Sequence, residues 1–202
     1  MINTKAVPKL RTAAVWKAVH GRMSWSQGLD ARYPYIKKTA WCILTKEVAD
    51  IVGKFLSQFN HVVEPFAGTG FIAHHLRKAS GLTKRQYRAY DPCRTHFGKS
   101  RPNYGFTKSG CFNINIKAAD CVVMTWPNYG ENLAKRIVNK MVSGQYLIYQ
   151  GEGDGGCTGC DEFHDILSVD FEEIPFPDDR CKYDVHQQWP SIHDNWYFYR
   201  KL

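Results

Sequence analysis

Apolar residues recur three and four positions apart at Val48, Ile51, Val52, Phe55, Leu56 and Phe59, the spacing of an amphipathic helix, and Thr45 stands where its N-cap belongs. His61-Val62-Val63-Glu64 then reads as a short buried strand, and Phe66-Ala67-Gly68-Thr69-Gly70 as a turn. A helix is predicted from Phe71 to Ala79, ended by Ser80-Gly81, and a second strand from Gln86 to Tyr90, closed by Asp91-Pro92. Residues 92–118 read as loop-rich, with Pro102, Gly105 and Gly110. Cys121 to Thr125 is a third strand, broken by Trp126-Pro127-Asn128-Tyr129-Gly130. Helical spacing returns at Leu133, Ile137, Val138 and Met141, followed by a strand at 146–150, a short helix at 161–167 and late strands at 171–174 and 196–200.

Strands alternating with helices, with glycines where strands end, predict an α/β fold built on an open sheet, whose ligand would sit beyond the C-terminal ends of the strands. A length of 202 residues suits one domain, divided here into a basic arm over residues 1–40 and the α/β domain over 41–202. The arm places Trp16, Trp25, Tyr33 and Tyr35 among basic residues with little periodicity. No apolar run approaches the roughly 18 residues of a membrane span, and the first 17 residues lack the apolar core of a signal peptide. Seven cysteines, an odd number in a chain large enough to build a core, point to reduced thiols and a cytoplasmic protein.

The net charge of +8 is unevenly distributed. Residues 1–40 hold eight Lys/Arg against one acid, residues 77–108 hold nine against one, and residues 109–202 hold eight against fourteen. Two basic blocks suit a nucleic-acid partner, with Lys37, Lys38, Arg85, Arg94 and Arg101 as candidate contacts. A solvated basic face is the alternative use of the same residues.

Candidate chemistry concentrates at the strand ends. Gly68 and Gly70 permit a tight turn and leave room for a ligand against the backbone, and the helix that follows offers unpaired N–H groups. A dinucleotide fingerprint would need a third glycine at Ala73, so the turn does not fit that motif. Asp91, 23 positions after Gly68 at a strand end, suits a carboxylate that accepts hydrogen bonds from both ribose hydroxyls. Asp120 opens the next predicted strand and is placed on the adenine side of the same nucleoside site.

Glu64-Pro65-Phe66-Ala67-Gly68-Thr69-Gly70 resembles the first motif of class I S-adenosylmethionine (SAM)-dependent methyltransferases, and Asp91 matches the acid after their second strand. Trp126-Pro127-Asn128-Tyr129 sits where amino-methyltransferases carry a D/N/S-P-P-Y/F motif. A finer resemblance is to an uncharacterised methyltransferase-like group, through Trp126 to Gly130, Gly151 to Thr158, and Ile192-His193-Asp194. The resemblance runs from about Thr45 to the C-terminus. It implies a Rossmann-like class I methyltransferase fold, an open and mostly parallel sheet with a late antiparallel strand. It implies S-adenosyl-L-methionine as cofactor, held by Glu64, Phe66, Ala67, Gly68, Gly70, Asp91 and Asp120, and methyl transfer as the activity.

The chain departs from that pattern at the strand-end motif. Its first position holds Thr125 or Trp126, not the Asp or Asn that accepts hydrogen bonds from an attacking amine. Pro127 still stiffens the loop, and Tyr129 suits stacking on a planar base. Five glycines within residues 151–159 suggest a backbone that approaches something closely, and Glu152 is the candidate general base there. Trp126, Pro127, Tyr129 and Glu152 are thus the candidate catalytic residues. Cys157, Cys160 and His164 supply three of the four ligands of a structural zinc site, so no metal is expected. The substrate classes left open are nucleic acid, a small molecule and a protein, with a catalytically inactive binding module as the reading from another class.

Overall fold

The structure is a computed structural model that describes residues 6–91, 104, 107–109, 114–178 and 182–202. Two helices lie in the N-terminal arm. Thr12 caps α1 (Ala13–His20) by accepting from the Val15 N–H, and Ser24 and Gln27 form a reciprocal capping box at the start of α2 (Trp25–Ile36). Thr45 is the N-cap of α3 (Lys46–Leu56), as its position predicted; its hydroxyl accepts from Val48 and donates to the Val185 carbonyl. Strand β1 (Val62–Glu64) leads through the glycine turn into α4 (Phe71–Ser80), which stops at Gly81 in a left-handed conformation.

Then follow β2 (Tyr87–Asp91), β3 (Thr107–Ser109), β4 (Cys121–Thr125), α5 (Leu133–Val138) and β5 (Tyr146–Gly151). The chain ends with α6 (Asp161–Asp170), β6 (Phe171–Ile174), the short α7 (Lys182–Val185) and β7 (Asn195–Lys201). The seven strands form one sheet in the order β3-β2-β1-β4-β5-β7-β6. The first five pair in parallel, and β7 runs antiparallel between β5 and β6. This is the open, mostly parallel Rossmann-like sheet that was expected, with its late antiparallel strand.

Strand β3 corrects the sequence reading, which left 92–118 as loop. Its residues, Thr107-Lys108-Ser109, carry no apolar signal, yet they pair with Ala89, Tyr90 and Asp91 at the sheet edge. The strand at 121–125 is therefore the fourth of the sheet. It is buried on both faces, as expected for a central parallel strand.

Alternation along the strands separates two cores. Val62, Tyr87, Cys121, Val123, Ile148, Trp196 and Phe198 pack on one face with α3 and α4. Val63, Val122, Met124, Leu147 and Tyr149 pack on the other with α5 and α6. The arm joins the first face: Trp16 packs with Ile43 and Trp189, and the Ala13 N–H donates to the Glu47 carboxylate at 2.9 Å. The order reverses between β1 and β4, so the switch point lies beyond Glu64 and Thr125.

Candidate functional site

Four sequence-predicted features meet at that switch point. The glycine turn leaves β1, and its backbone folds onto the end of β2: the Ala67 N–H donates to the Tyr90 carbonyl at 2.8 Å, and the Gly68 N–H to the Asp91 carboxylate at 2.7 Å. Gly68 has φ +52°, and a Cβ built there would meet nothing within 4 Å. Its left-handed conformation turns the chain, and the space beside it is open to a ligand. Phe66 and Ala67 are buried at the start of the turn, and Gly70 is the left-handed N-cap of α4. Asp91 borders the open space, so the arrangement fits a nucleoside: a carboxylate for ribose hydroxyls beside a backbone without a side chain in the way.

Glu64 lies beneath this turn rather than on its surface. It is fully buried, accepting from the Tyr87 hydroxyl at 2.7 Å and the Thr125 hydroxyl at 3.2 Å. Burial pushes its carboxyl up to about 7, against the two hydrogen bonds, and the Asp91 charge adds to the rise. The Thr125 hydroxyl is engaged with Glu64 and with the Phe66 carbonyl at 3.3 Å. It serves the floor of the site.

Trp126 follows at φ +50°, a rare conformation for a bulky side chain. Its ring lies near parallel to Trp41, with centroids 6.2 Å apart, and the Arg32 guanidinium sits 5.2 Å from Trp126 and 5.5 Å from Trp41. Burial works against the Arg32 charge, while the Asp194 and Glu152 carboxylates favour it. Pro127 is buried and its carbonyl accepts from Gly159, whereas Tyr129 stands 63% exposed at the outer end of the loop. An exposed ring beside a strand end is positioned to meet a substrate.

Glu152 is an internal brace, which corrects its assignment as a general base. Its two oxygens accept from the Cys157 N–H at 2.7 Å and the His193 N–H at 3.0 Å. Burial opposes its charge, but hydrogen bonds from Cys157 and His193 outweigh it and hold the carboxyl below the usual range. Burial and Glu152 together push the Cys157 thiol up to about 11, so it is a thiol at neutral pH. The glycines of this stretch also serve the protein's own packing. A Cβ on Gly151 would lie 2.5 Å from the Tyr149 hydroxyl, and one on Gly156 would lie 2.4 Å from the Glu152 Cβ. The close approach read from composition is real, but the neighbour is the same chain.

Two other assignments change place. Asp120 sits at the N-terminal end of β4, where its carboxylate accepts from the Asn60 and His61 N–H groups at 2.8 Å each. It joins loops at the sheet edge opposite the glycine turn, so it is not beside a nucleoside bound there. Arg85 precedes β2 and shares that opposite edge. Lys37 and Lys38 are exposed beside the glycine turn: the Lys38 carbonyl accepts from Tyr104 and the Thr39 carbonyl from Thr69. The basic candidates are thus divided between the two edges, and Arg94 and Arg101 lie outside the described residues.

The structure also gathers residues that the sequence reading left unassigned. Gln150 lies opposite Thr125 in the sheet and donates to the Asp194 carboxylate, and the His186 ring is 2.9 Å from the Asp194 carbonyl. Arg32 and Trp41 come from the arm and its junction. The only sequence signal for this group was the Ile192-His193-Asp194 segment; Arg32 lies 94 positions from Trp126, beyond any local pattern.

No family model matches the chain, and no curated protein is significantly similar to it in sequence. Solved structures with a similar fold include a methyltransferase from Geobacter sulfurreducens, with a TM-score of 0.49 at 12% identity, covering 98% of this chain and 100% of that one. The tRNA (m1A58) methyltransferase TrmI from Aquifex aeolicus gives 0.47 at 11% identity, over 82% of this chain and 72% of that one. Human N-acetylserotonin methyltransferase in complex with SAM gives 0.46 at 12% identity, over 92% of this chain; the present chain spans 58% of the human chain. At these identities the likeness is one of fold.

Proposed function

We propose that this chain is a SAM-dependent methyltransferase acting on nucleic acid. The observation that carries the cofactor reading is the open side of Gly68 beside the Asp91 carboxylate, at the point where the strand order reverses. SAM bound there supplies an already activated methyl group, so the protein's task is to bind, orient and exclude water. Asp91 would accept from the ribose hydroxyls, and the 66–70 backbone would lie against the rest of the nucleoside. Glu64 holds the turn from below through Thr125 and Tyr87.

The acceptor would enter on the Trp126 side. Pro127 holds the loop, and Tyr129 offers a stacking face to a planar base. The reading of nucleic acid is supported by Lys37 and Lys38, exposed beside the glycine turn, together with the exposed Tyr129 ring. Arg85, on the far edge, is not part of this surface.

Calorimetry of the full chain with SAM and with S-adenosylhomocysteine tests the cofactor reading, which expects one site for each. Absence of SAM binding would overturn it. Incubation with methyl-labelled SAM and DNA, RNA, protein and metabolite fractions in parallel tests the acceptor. Label in nucleic acid is expected. Label in another fraction alone replaces the substrate class, and SAM binding without transfer to any fraction makes the chain a binding module.

A further inference from the structure

A second recess lies beneath the helices of the arm, and nothing in the cofactor reading uses it. It encloses about 340 Å³ between α1, α2 and the start of α4, within the range of small-ligand sites. Trp16, Tyr35 and Trp189 form one wall as three mutually edge-to-face rings, with centroids 5.4 to 5.7 Å apart. Most of the remaining lining is aliphatic. Among the described residues that line it the charged groups are all cations, Lys9, Arg11 and Lys38.

Arg11 sits 5.2 Å from the Trp16 ring, which holds its guanidinium beside the ring wall. An apolar recess with ring walls and a cationic rim is complementary to one kind of molecule.

We propose that this recess binds a small organic anion: a carboxylate at the Lys9, Arg11 and Lys38 rim, carried on an apolar body of about the size of a fused ring pair, inserted against Trp16, Tyr35 and Trp189. The site adjoins the glycine turn through Thr39 and Phe71 but includes none of Gly68, Asp91 or Trp126. Its lining therefore does not overlap those residues of the cofactor reading. A carboxylate fits better than a cation because the rim would repel a cation, and better than a neutral apolar molecule because a neutral one leaves the rim charges unanswered.

The test is calorimetry of the full chain, without SAM, using 2-naphthoate and its uncharged counterpart 2-naphthylmethanol. One site for 2-naphthoate is expected, with an affinity about tenfold or more above that of the alcohol, weakened by added salt. Lys9→Gln and Arg11→Gln should each weaken 2-naphthoate by about threefold. Ala31→Leu should abolish binding by filling the recess, and Val19→Phe does the same from the opposite helix should the first variant fail to fold. SAM affinity should be unchanged in the folded variants. No 2-naphthoate binding, equal affinity for the alcohol, or unchanged affinity in a folded filling variant would each overturn the proposal.

Discussion

Two glycine-rich turns leave the C-terminal edge of the same sheet, and they do opposite work. The turn at 64–70 has an open side: Gly68 adopts a left-handed conformation, and the place where its Cβ would stand is empty. The turn at 151–159 packs on the protein at Gly151 and Gly156, where Cβ atoms would collide with Tyr149 and with Glu152, and is open at Gly155. Each turn rests on a glutamate, and these too are opposed. Glu64 is buried with two hydroxyl donors, and its carboxyl is pushed up to about 7. Glu152 is held ionised by two backbone N–H groups. The same residue types therefore make an open turn in one place and a brace in the other. The difference lies in whether the glycine backbone meets open space, as at Gly68, or the protein's own side chains, as at Gly151 and Gly156.

The largest effect should come from the two glutamates, as opposite pH dependences. Glu64 keeps its proton in the folded chain at pH values where the unfolded chain has lost it. Its contribution is full below the ordinary value of 4.5 and is lost as pH rises to about 7. Those two values bound a loss of roughly 3 kcal/mol. Glu64→Gln should remove that slope from denaturant midpoints measured between pH 4 and 8, and an unchanged slope would show that Glu64 is not the group responsible. Glu152 has the reverse sign, stabilising at neutral pH and losing its contribution as pH falls through its depressed value. Glu152→Gln should flatten the acid limb only.

Gly151→Ala sharpens the contrast next. The added methyl group meets two buried hydroxyls bonded to each other, those of Tyr149 and Thr158, which cannot both move away. Overpacking of this kind costs about 1–3 kcal/mol, and at this chain length each kcal/mol lowers the melting temperature by roughly 2–4 °C. SAM affinity of the folded variant should be intact. If melting is unchanged and SAM binding falls, the second turn also faces a ligand and the contrast fails.

Asp91→Ala acts on the open turn. Loss of the ribose acceptor should weaken SAM and S-adenosylhomocysteine by about 1–3 kcal/mol, read by calorimetry. Equal affinity in the variant would remove Asp91 from the site while leaving the crevice in place. The smallest structural effect is expected at Tyr129, whose exposed ring contributes little to the core. Tyr129→Ala should change stability by no more than about 0.5 kcal/mol while lowering turnover by about tenfold, and Tyr129→Phe should be mild. A variant that melts early with normal specific activity would make the ring a packing residue.

Much of the first turn was legible in the amino-acid order. The apolar run of β1, the glycines and the following helix are neighbours in the chain, and Asp91 ends the very next strand of the βαβ unit. Local periodicity records all of this, because each residue's backbone state and buried face are set within a few positions of itself. The same locality revealed Thr45 as a cap and Gly81 as a helix stop.

Other features depend on what lies across the sheet, and these only the tertiary structure decided. Thr107-Lys108-Ser109 becomes a strand by pairing with the edge of β2. Asp120 reads as opening its strand yet is assigned to the adenine side; its contacts with Asn60 and His61 place it at the opposite edge. The glycines of 151–159 announced a close approach, yet composition cannot say whether ligand or protein approaches. Arg32, Trp41 and Trp126 meet only because the arm folds over the strand ends. A sequence states which positions turn inward and which bend the chain; the identity of the neighbour on the other side is a property of the packed molecule, since contacts between distant segments leave no period in either one.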